Sequence, residues 1–481
     1  MAIDKLDRDS FISGNVVFEA RLIFIAVVIY QLVLWFTGGI YHFESLLVLI
    51  AVVVLPWMLV LLPHRSRPDR SRRSAIEIAG AGLMLQGCFM IIVGISGYFV
   101  PRSGWDARVV FMILACMLIV GSSLLCTVPW VGKRGIWLLA GLHLFLGCWA
   151  VWLSPKPFID VYLFHQESAA ALLHGINPYS ITFRNMYLEP DGSPSKFYSL
   201  EVQKGDRVMF GFPYAPLSLL AYMPSYMLTS ESRYAHALAT SLCGLLIGTL
   251  GKGRLAKASA VLLLTAPATF HIIVASWTEP FLLLALVITA VVSFRWPKWM
   301  PVALAMFFVM KQYTIIYLPL VWLILPRPLA WGSSIKFLTI MAICGAAVSL
   351  PLALWDWGAF WNSAVHIQMI QPFRFDALSY LAMVANAQPP GFVPPGWWSS
   401  IAFMLLIPTW IVLLWRLPRN LAGFVLGVAL VSLVFLFSNR QAFINYHSFT
   451  AGALLLYVAI RERDCSQSLA PEPAALDTPS R

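Results

Sequence analysis

An all-α polytopic membrane protein is the fold class this sequence predicts, and three observations predict it. Across 481 residues the chain is 59% hydrophobic and only 11% charged, against about half and about one quarter in soluble domains. The apolar residues gather in a series of runs, most of them close to the ~20 residues that cross the hydrocarbon of a bilayer. The net charge is +11, from 33 Lys+Arg against 22 Asp+Glu, and much of the basic excess falls in short loops between runs, as cytoplasmic loops require. Together these exclude a soluble globular enzyme and predict one bundle of about 12–15 transmembrane helices.

Five runs come first, near residues 18–38, 44–62, 76–100, 108–130 and 136–153. The opening MAIDKLDRDSFISGN precedes an apolar run from Leu22 to Phe36 with no small-x-small cleavage site, so an uncleaved first span is expected. With the amino terminus inside, the loop HRSRPDRSRR and the Lys133-Arg134 turn are cytoplasmic. Arg65, Arg67, Arg70, Arg72 and Arg73 crowd the first of these loops. Between apolar runs they read as an anchor for anionic membrane lipid rather than a nucleic-acid patch. Residues 1–135 thus form an N-terminal transmembrane unit, and the polar stretch 154–213 lies outside.

The next run, 213–227, is short and contains Pro216 and Pro224. If the following span, 233–250, runs inward, the basic groups Lys252-Gly-Arg254-Leu-Ala-Lys257, Arg295-Trp-Pro-Lys298 and Arg416-Leu-Pro-Arg419 all land inside. A full crossing at 213–227 would put them outside, so that run is expected to be re-entrant or interfacial. Runs near 258–275, 281–294, 299–310, 313–325, 337–354, 398–415, 421–437 and 444–460 bring the total to about fourteen crossings. Residues 136–460 then form a membrane core with outer loops at 154–213 and 355–397. Several middle runs are too short to span at ~1.5 Å per residue, which implies thinned membrane or shielding by neighbours and a lipid-accessible cavity. The tail 461–481 is polar and Pro-containing and is expected to be disordered on the inner side. No internal repeat is present.

Six of the seven cysteines, Cys88, Cys116, Cys126, Cys148, Cys243 and Cys344, fall in apolar runs, and Cys465 lies in the tail. There is no CxxC or Cys/His zinc spacing, so neither a disulfide framework nor a metal site is expected.

On this topology the isolated ionisable residues collect on the outer side: Asp160, Glu167, Glu279, Lys311, His366, Arg374, Asp376, Arg440 and His447. Such groups near a bilayer are costly and mark function. The densest segment runs F-I-D160-V-Y162-L-F-H-Q-E167, through an Ala/Leu-rich helical stretch, to H-G175-I-N177-P178-Y179. Gly175 and Pro178 supply the helix stop. Asp160, just past a membrane exit, is either an N-cap or a base. A helix dipole would lower its pKa, whereas burial and neighbouring carboxylates such as Glu167 would raise it. Downstream, G211-F-P-Y214-A-P216-L opens the re-entrant segment. Lys311, in M-K-Q312-Y, is a snorkelling lysine or a cation for a lipid phosphate. Arg440 and His447, in N-R-Q-A-F-I-N-Y-H, are interfacial anchors or phosphate ligands. Trp355, Trp357, Trp361, Trp397 and Trp398 read as an aromatic belt rather than a sugar-stacking platform.

Three of these stretches, in this order, resemble the glycosyltransferase C superfamily, in particular the bacterial polyprenyl-phosphate-mannose-dependent α-mannosyltransferases. They are the Asp160–Tyr179 loop, F212-P-Y-A-P-L217 and M-K311-Q-Y, with N445-Y-H447 as further support, covering roughly residues 150 to 460. In that superfamily the catalytic loop usually follows the first span, so the five spans ahead of it here look like additions. The resemblance implies Asp160 as general base, with Lys311, Arg440 and His447 on the donor phosphate. It implies Tyr162, Glu167, Asn177, Tyr179, Tyr214, Gln312, His366 and Arg374 as further substrate-binding positions.

The implied reaction is inverting. The base deprotonates a glycolipid or glycan acceptor hydroxyl as it attacks the anomeric carbon of a polyprenyl-phosphate sugar, and the phosphate departs. Asp160-Val-Tyr162 lacks the second Asp of a DxD pair, so no metal or other cofactor is implied. The expected location is the bacterial inner membrane, with the site on the extracytoplasmic side. The competing expectation is a transporter or flippase of a lipid-linked sugar. Transporters gather their ionisable groups nearer the bilayer midplane.

Overall fold

The structure, a computed structural model, describes residues 14–62, 72–96, 105–127, 132–251, 253–326 and 330–468. Arg65, Arg67 and Arg70 of the basic cluster lie outside the described residues, as does the tail beyond 468. The described chain is helical almost throughout. Its first five helices, α1 (Gly14–Thr37), α2 (Phe43–Leu61), α3 (Arg72–Ser96), α4 (Trp105–Thr127) and α5 (Gly132–Leu153), correspond to the five expected runs.

The expected outer loop 154–213 has its own small fold. It holds α6 (Asp160–Leu173) and a three-stranded antiparallel sheet of β1 (Phe183–Arg184), β2 (Gln203–Lys204) and β3 (Arg207–Val208), ordered β1-β3-β2. As expected, α6 stops ahead of Gly175, whose φ of +69° suits a residue without a Cβ. Phe164, Phe183, Tyr198, Val208, Phe210 and Ile367 form a separate hydrophobic cluster that fixes this loop over the bundle. The expected re-entrant run is α7 (Pro216–Thr229), which opens with Pro at its first turn and packs on α6 and on α8 (Arg233–Leu250).

The expected single run 258–275 is a bent pair, α9 (Arg254–Leu264) and α10 (Pro267–Val274), which meet at 51°. Pro267 explains the break, since it cannot donate to the preceding turn. Beyond them come α11 (Glu279–Arg295) and α12 (Met300–Phe308). The expected run 313–325 is a 3-10 helix, Gln312–Ile324, rather than an α-helix. At ~2.0 Å per residue its 13 residues reach about 26 Å, much nearer the hydrocarbon thickness than an α-helix of that length.

The remaining helices are α13 (Trp331–Trp355), α14 (Trp357–Phe360), α15 (Ile367–Ile370), α16 (Tyr380–Asn386), α17 (Trp398–Arg416), α18 (Leu421–Phe437) and α19 (Ile444–Ser468). The expected outer loop 355–397 therefore contains three short helices, with a π-helical turn at Trp361–His366. The tail was expected to be disordered from residue 461, but α19 continues through Ser468. Arg461 pairs with Glu19 of α1 at 2.7 Å, and the buried Glu462 carboxylate accepts Leu255 N–H at 2.9 Å and Ala256 N–H at 3.0 Å at the start of α9.

Among the described residues, seven helices are long and apolar enough to cross a membrane, eight if the bent pair is one span. They are α1 to α5, α13 and α17. Most of them leave half or more of their length unburied by protein, the surface a lipid-facing helix presents. Of the other expected crossings, α8, α11, α12, the 3-10 helix, α18 and α19 fall short of that length or apolarity. Two of them lie in the interior: α19 packs on α1, α8, α9, α11 and α18, and nearly every residue of α18 is buried.

Candidate active site

The loops at one end of the bundle enclose a cavity of about 400 Å³. The α1–α2 turn reaches it by pairing Ile40 with Ala377, and Gly38 and Ile40 line it. Its walls come from α6, the loop between α6 and α7, the α10–α11 turn, the residue ahead of the 3-10 helix, and the segments before α16 and α19.

Asp160 opens into this cavity. It is not the expected N-cap: Ile159 holds that place, and Asp160 is the first helical residue. Its Oδ1 accepts the Val161 N–H at 2.8 Å, and its Oδ2 accepts the Tyr198 hydroxyl at 2.8 Å. Tyr187 accepts the Asp160 backbone N–H at 3.1 Å. Burial pushes the Asp160 carboxyl above its ordinary value, and the two hydrogen bonds and the Arg374 charge only partly oppose it. The structure thereby decides between the two influences the sequence left open. Glu167, expected to add to the rise, is half-buried on the same helix and faces the charge of Arg207 instead.

Lys311 lines the cavity too. It is buried, pairs with the buried Glu279, and lies among three tyrosine rings, 4.7 Å from the Tyr446 centroid, 5.4 Å from Tyr214 and 5.5 Å from Tyr313. An ammonium has three N–H donors, so the pair with Glu279 leaves donors for a ligand. Across the cavity Arg374 grips Asp376 through both carboxylate oxygens, at 2.8 and 2.7 Å. Gln368, Gln371, Gln441 and Asn445 add amides, and Trp277 adds an indole face.

Of the positions the sequence nominated, Asp160, Lys311, Tyr214 and Arg374 thus meet in one cavity. The others lie outside its lining. Arg440 donates to Ser399 Oγ and to the carbonyls of Gln368 and Met369, so its guanidinium fastens loops instead of awaiting a phosphate. His447 is fully buried, with Nδ1 2.5 Å from the Tyr30 hydroxyl and Nε2 3.1 Å from the Leu378 carbonyl. Neither ring nitrogen is left for a ligand. Tyr162 donates to Glu231 and lies under the Arg233 guanidinium, in a separate cluster. His366 sits in the π turn, 3.4 Å from Asn362 Oδ1.

Asn177, Tyr179 and Gln312 act one layer back. Asn177 Oδ1 accepts the Tyr179 N–H at 3.0 Å, closing a turn. Tyr179 is buried and donates to the Tyr214 carbonyl at 2.9 Å, while Gln312 donates to the Pro213 carbonyl at 2.8 Å. These bonds hold the strap that presents Tyr214 to Lys311. Gly211 begins the strap, and a Cβ there would collide with the Tyr179 carbonyl. Its N–H instead donates to Ser363 Oγ at 2.7 Å.

Tyr187, Tyr198, Gln368, Gln371 and Gln441 were not singled out by sequence, because uncharged side chains gave no signal against the membrane background. Trp355, Trp357, Trp361 and Trp397 are exposed and the half-buried Trp398 packs on Phe373 and Phe392, all five outside the lining. Among the described residues no group of three His, Cys, Asp or Glu side chains converges as metal ligands. No family model, no curated protein and no solved structure matches the chain.

Proposed function

We propose that this protein is a membrane glycosyltransferase of glycosyltransferase C type. It moves a sugar, in our reading mannose, from a polyprenyl-phosphate donor to a glycolipid or glycan acceptor. The observation that carries the proposal is the company Asp160 keeps. A carboxylate with a raised pKa shares one cavity with a lysine ammonium, four amides and the rings of Tyr214, Trp277 and Tyr446. Amides and aromatic faces are what a sugar's hydroxyls and C–H faces bind.

In this mechanism Asp160 takes the proton of the acceptor hydroxyl. The hydroxyl oxygen bonds to the anomeric carbon, the bond from that carbon to the phosphate oxygen breaks, and polyprenyl phosphate leaves with the electron pair. The centre inverts. Lys311, through the donors Glu279 does not occupy, meets the charge developing on the leaving group. Arg374 and Asp376 stay paired and contribute hydrogen bonds rather than net charge. The basic turns at Arg254, Arg295 and Arg416 lie at the opposite end of the helices from the cavity. Under the positive-inside rule this orients the site to the extracytoplasmic face, in our reading of a bacterial inner membrane.

One observation favours a second reading, a carrier of a lipid-linked sugar: the 51° break between α9 and α10 resembles the discontinuous helices of transporters. The two readings part in one experiment. Purified protein is incubated with radiolabelled polyprenyl-phosphate mannose and a membrane extract. Label in a new glycoside, with release of polyprenyl phosphate, is the outcome expected of the transferase. Intact donor moved between leaflets with no release overturns it in favour of the carrier.

A further inference from the structure

At the far end of the bundle a second cavity, of about 920 Å³, opens between α5, α8, α9, α11 and α19. Three cations line it, Lys257, Arg295 and Arg463, and no carboxylate does among the described residues. The two acidic residues beside it on α19 are otherwise disposed. Glu462 is buried on the N–H groups that begin α9, and Asp464 lies near Arg461 and Arg463 without reaching the lining. Arg463 donates to the Leu250 carbonyl at 3.0 Å and lies 4.3 Å over the Phe294 ring, while its buried Nε has no partner. Arg295 and Arg463 both line the cavity, near enough for the Arg295 charge to act on Arg463. Like charges held together around an open volume are stabilised by an anion between them.

Apart from Thr249 the other side chains lining the cavity are apolar, Leu246, Ile288, Val291 and Val292 among them, together with the half-exposed Trp296. Ile288 also belongs to an adjoining apolar groove between α8, α11 and α12, which runs past Leu242, Leu284 and Ala303 to Met310. From Arg295 to Phe281, α11 rises about 21 Å at ~1.5 Å per residue. This exceeds the roughly 15 Å of hydrocarbon in one leaflet. A basic pocket at the end of helices, continued by an apolar channel of leaflet depth, matches a molecule with an anionic head and a long chain.

We propose that this end of the protein binds an anionic phospholipid. Its phosphate sits on Arg295, Arg463 and Lys257, and one acyl chain lies along the groove through Ile288. The site is separate from the Asp160 cavity and does not depend on glycosyl transfer.

The test adds phosphatidylglycerol, phosphatidylcholine or inorganic phosphate to delipidated full-length protein in detergent, and reads bound lipid by native mass spectrometry and Tm by scanning fluorimetry. Phosphatidylglycerol alone is expected to remain bound and raise Tm. A basic residue near a membrane surface is worth about fivefold in anionic-lipid binding, so Lys257→Gln/Arg295→Gln/Arg463→Gln should bind about 100-fold more weakly. A charge-matched control at the same end, Lys298→Gln/Lys336→Gln/Arg416→Gln, removes exposed cations outside the lining and should bind as wild type. If the cavity triple fails to fold, Arg295→Lys/Arg463→Lys keeps the charge and should retain phosphatidylglycerol, whereas Lys257→Gln alone should lose about fivefold. Equal binding of phosphatidylcholine, an equal Tm rise with inorganic phosphate, or equal losses in the cavity and control triples would each overturn the proposal.

Discussion

The two ends of the bundle differ in how they hold most of their cations, although the far end also pairs Arg461 with Glu19. At the Asp160 end the cations have carboxylate partners within the walls, Lys311 with Glu279 and Arg374 with Asp376, and aromatic rings surround them. At the far end Arg254, Arg295, Lys298 and Arg416 are exposed, and no acidic partner holds them among the described residues. A cation facing headgroups is already solvated and acts through the sign of its charge. A cation inside the protein needs a partner, and removing that partner leaves an uncompensated charge. Exposed cations of this kind are suited to anionic headgroups, whereas the paired cations inside the walls form the Asp160 cavity.

The largest effect that would sharpen this contrast is on catalysis. Asp160→Asn removes the proposed base while keeping its shape, and general-base catalysis contributes about 10²–10⁴-fold. Label transfer from polyprenyl-phosphate mannose should fall by that factor. The variant should not lose stability. Burial raises the folded-state pKa of Asp160, so folding binds its proton more tightly, and the stability gained this way is full at low pH and lost as pH rises through the folded value. At neutral pH an amide avoids that loss. A Tm at or above wild type with transfer abolished is therefore expected, and near-wild-type transfer would return Asp160 to a structural role.

This contrast also explains what could be read from sequence. The five leading helices, the helix from Asp160 with its stop at Gly175, and the gathering of ionisable residues at one end were legible because each leaves a signal in hydropathy or charge. The tyrosines on Asp160 left none: Tyr187 and Tyr198 arrive from 27 and 38 residues along the chain through the turns of a small sheet. His447 shows the converse. A titratable residue near the last span looked like a phosphate ligand, but the fold spends both its nitrogens joining α1, α19 and the segment before α16. The 3-10 helix at Gln312–Ile324 was hidden as well, because a short apolar run specifies burial and not the rise per residue.

Next in size is the buried pair. Lys311→Met leaves Glu279 charged and unpartnered inside the protein, and breaking a buried ion pair costs about 3–5 kcal/mol. Thermal unfolding in detergent should show a large fall in Tm, and the double variant Lys311→Met/Glu279→Gln should regain most of it while transfer stays low. An equally unstable double variant would mean that packing around Lys311, rather than its charge, maintains this end. A smaller loss tests the far end at the fully buried Glu462. Glu462→Ala strips the N–H groups of Leu255 and Ala256 of their acceptor, at about 1–3 kcal/mol for buried donors left unsatisfied. Tm should fall while transfer per folded molecule stays unchanged, since this carboxylate lies at the opposite end from the cavity.

The smallest expected effect is also the most specific to the proposed chemistry. Tyr198 donates to Asp160 Oδ2, a bond that favours the charged carboxylate and so works against burial. Tyr198→Phe removes that bond and leaves the ring in the cluster with Phe164, Phe183 and Phe210. The Asp160 pKa then rises further. A base must be deprotonated to act, so the acid limb of the pH–rate profile should move to higher pH. The rate loss should be greatest at low pH and shrink as pH rises past the new value. A residue that merely held the loop in place would lower transfer by the same factor at every pH. A vertical drop with no displacement of the limb would therefore separate Tyr198 from the ionisation of Asp160, and would weaken the assignment of that limb to Asp160.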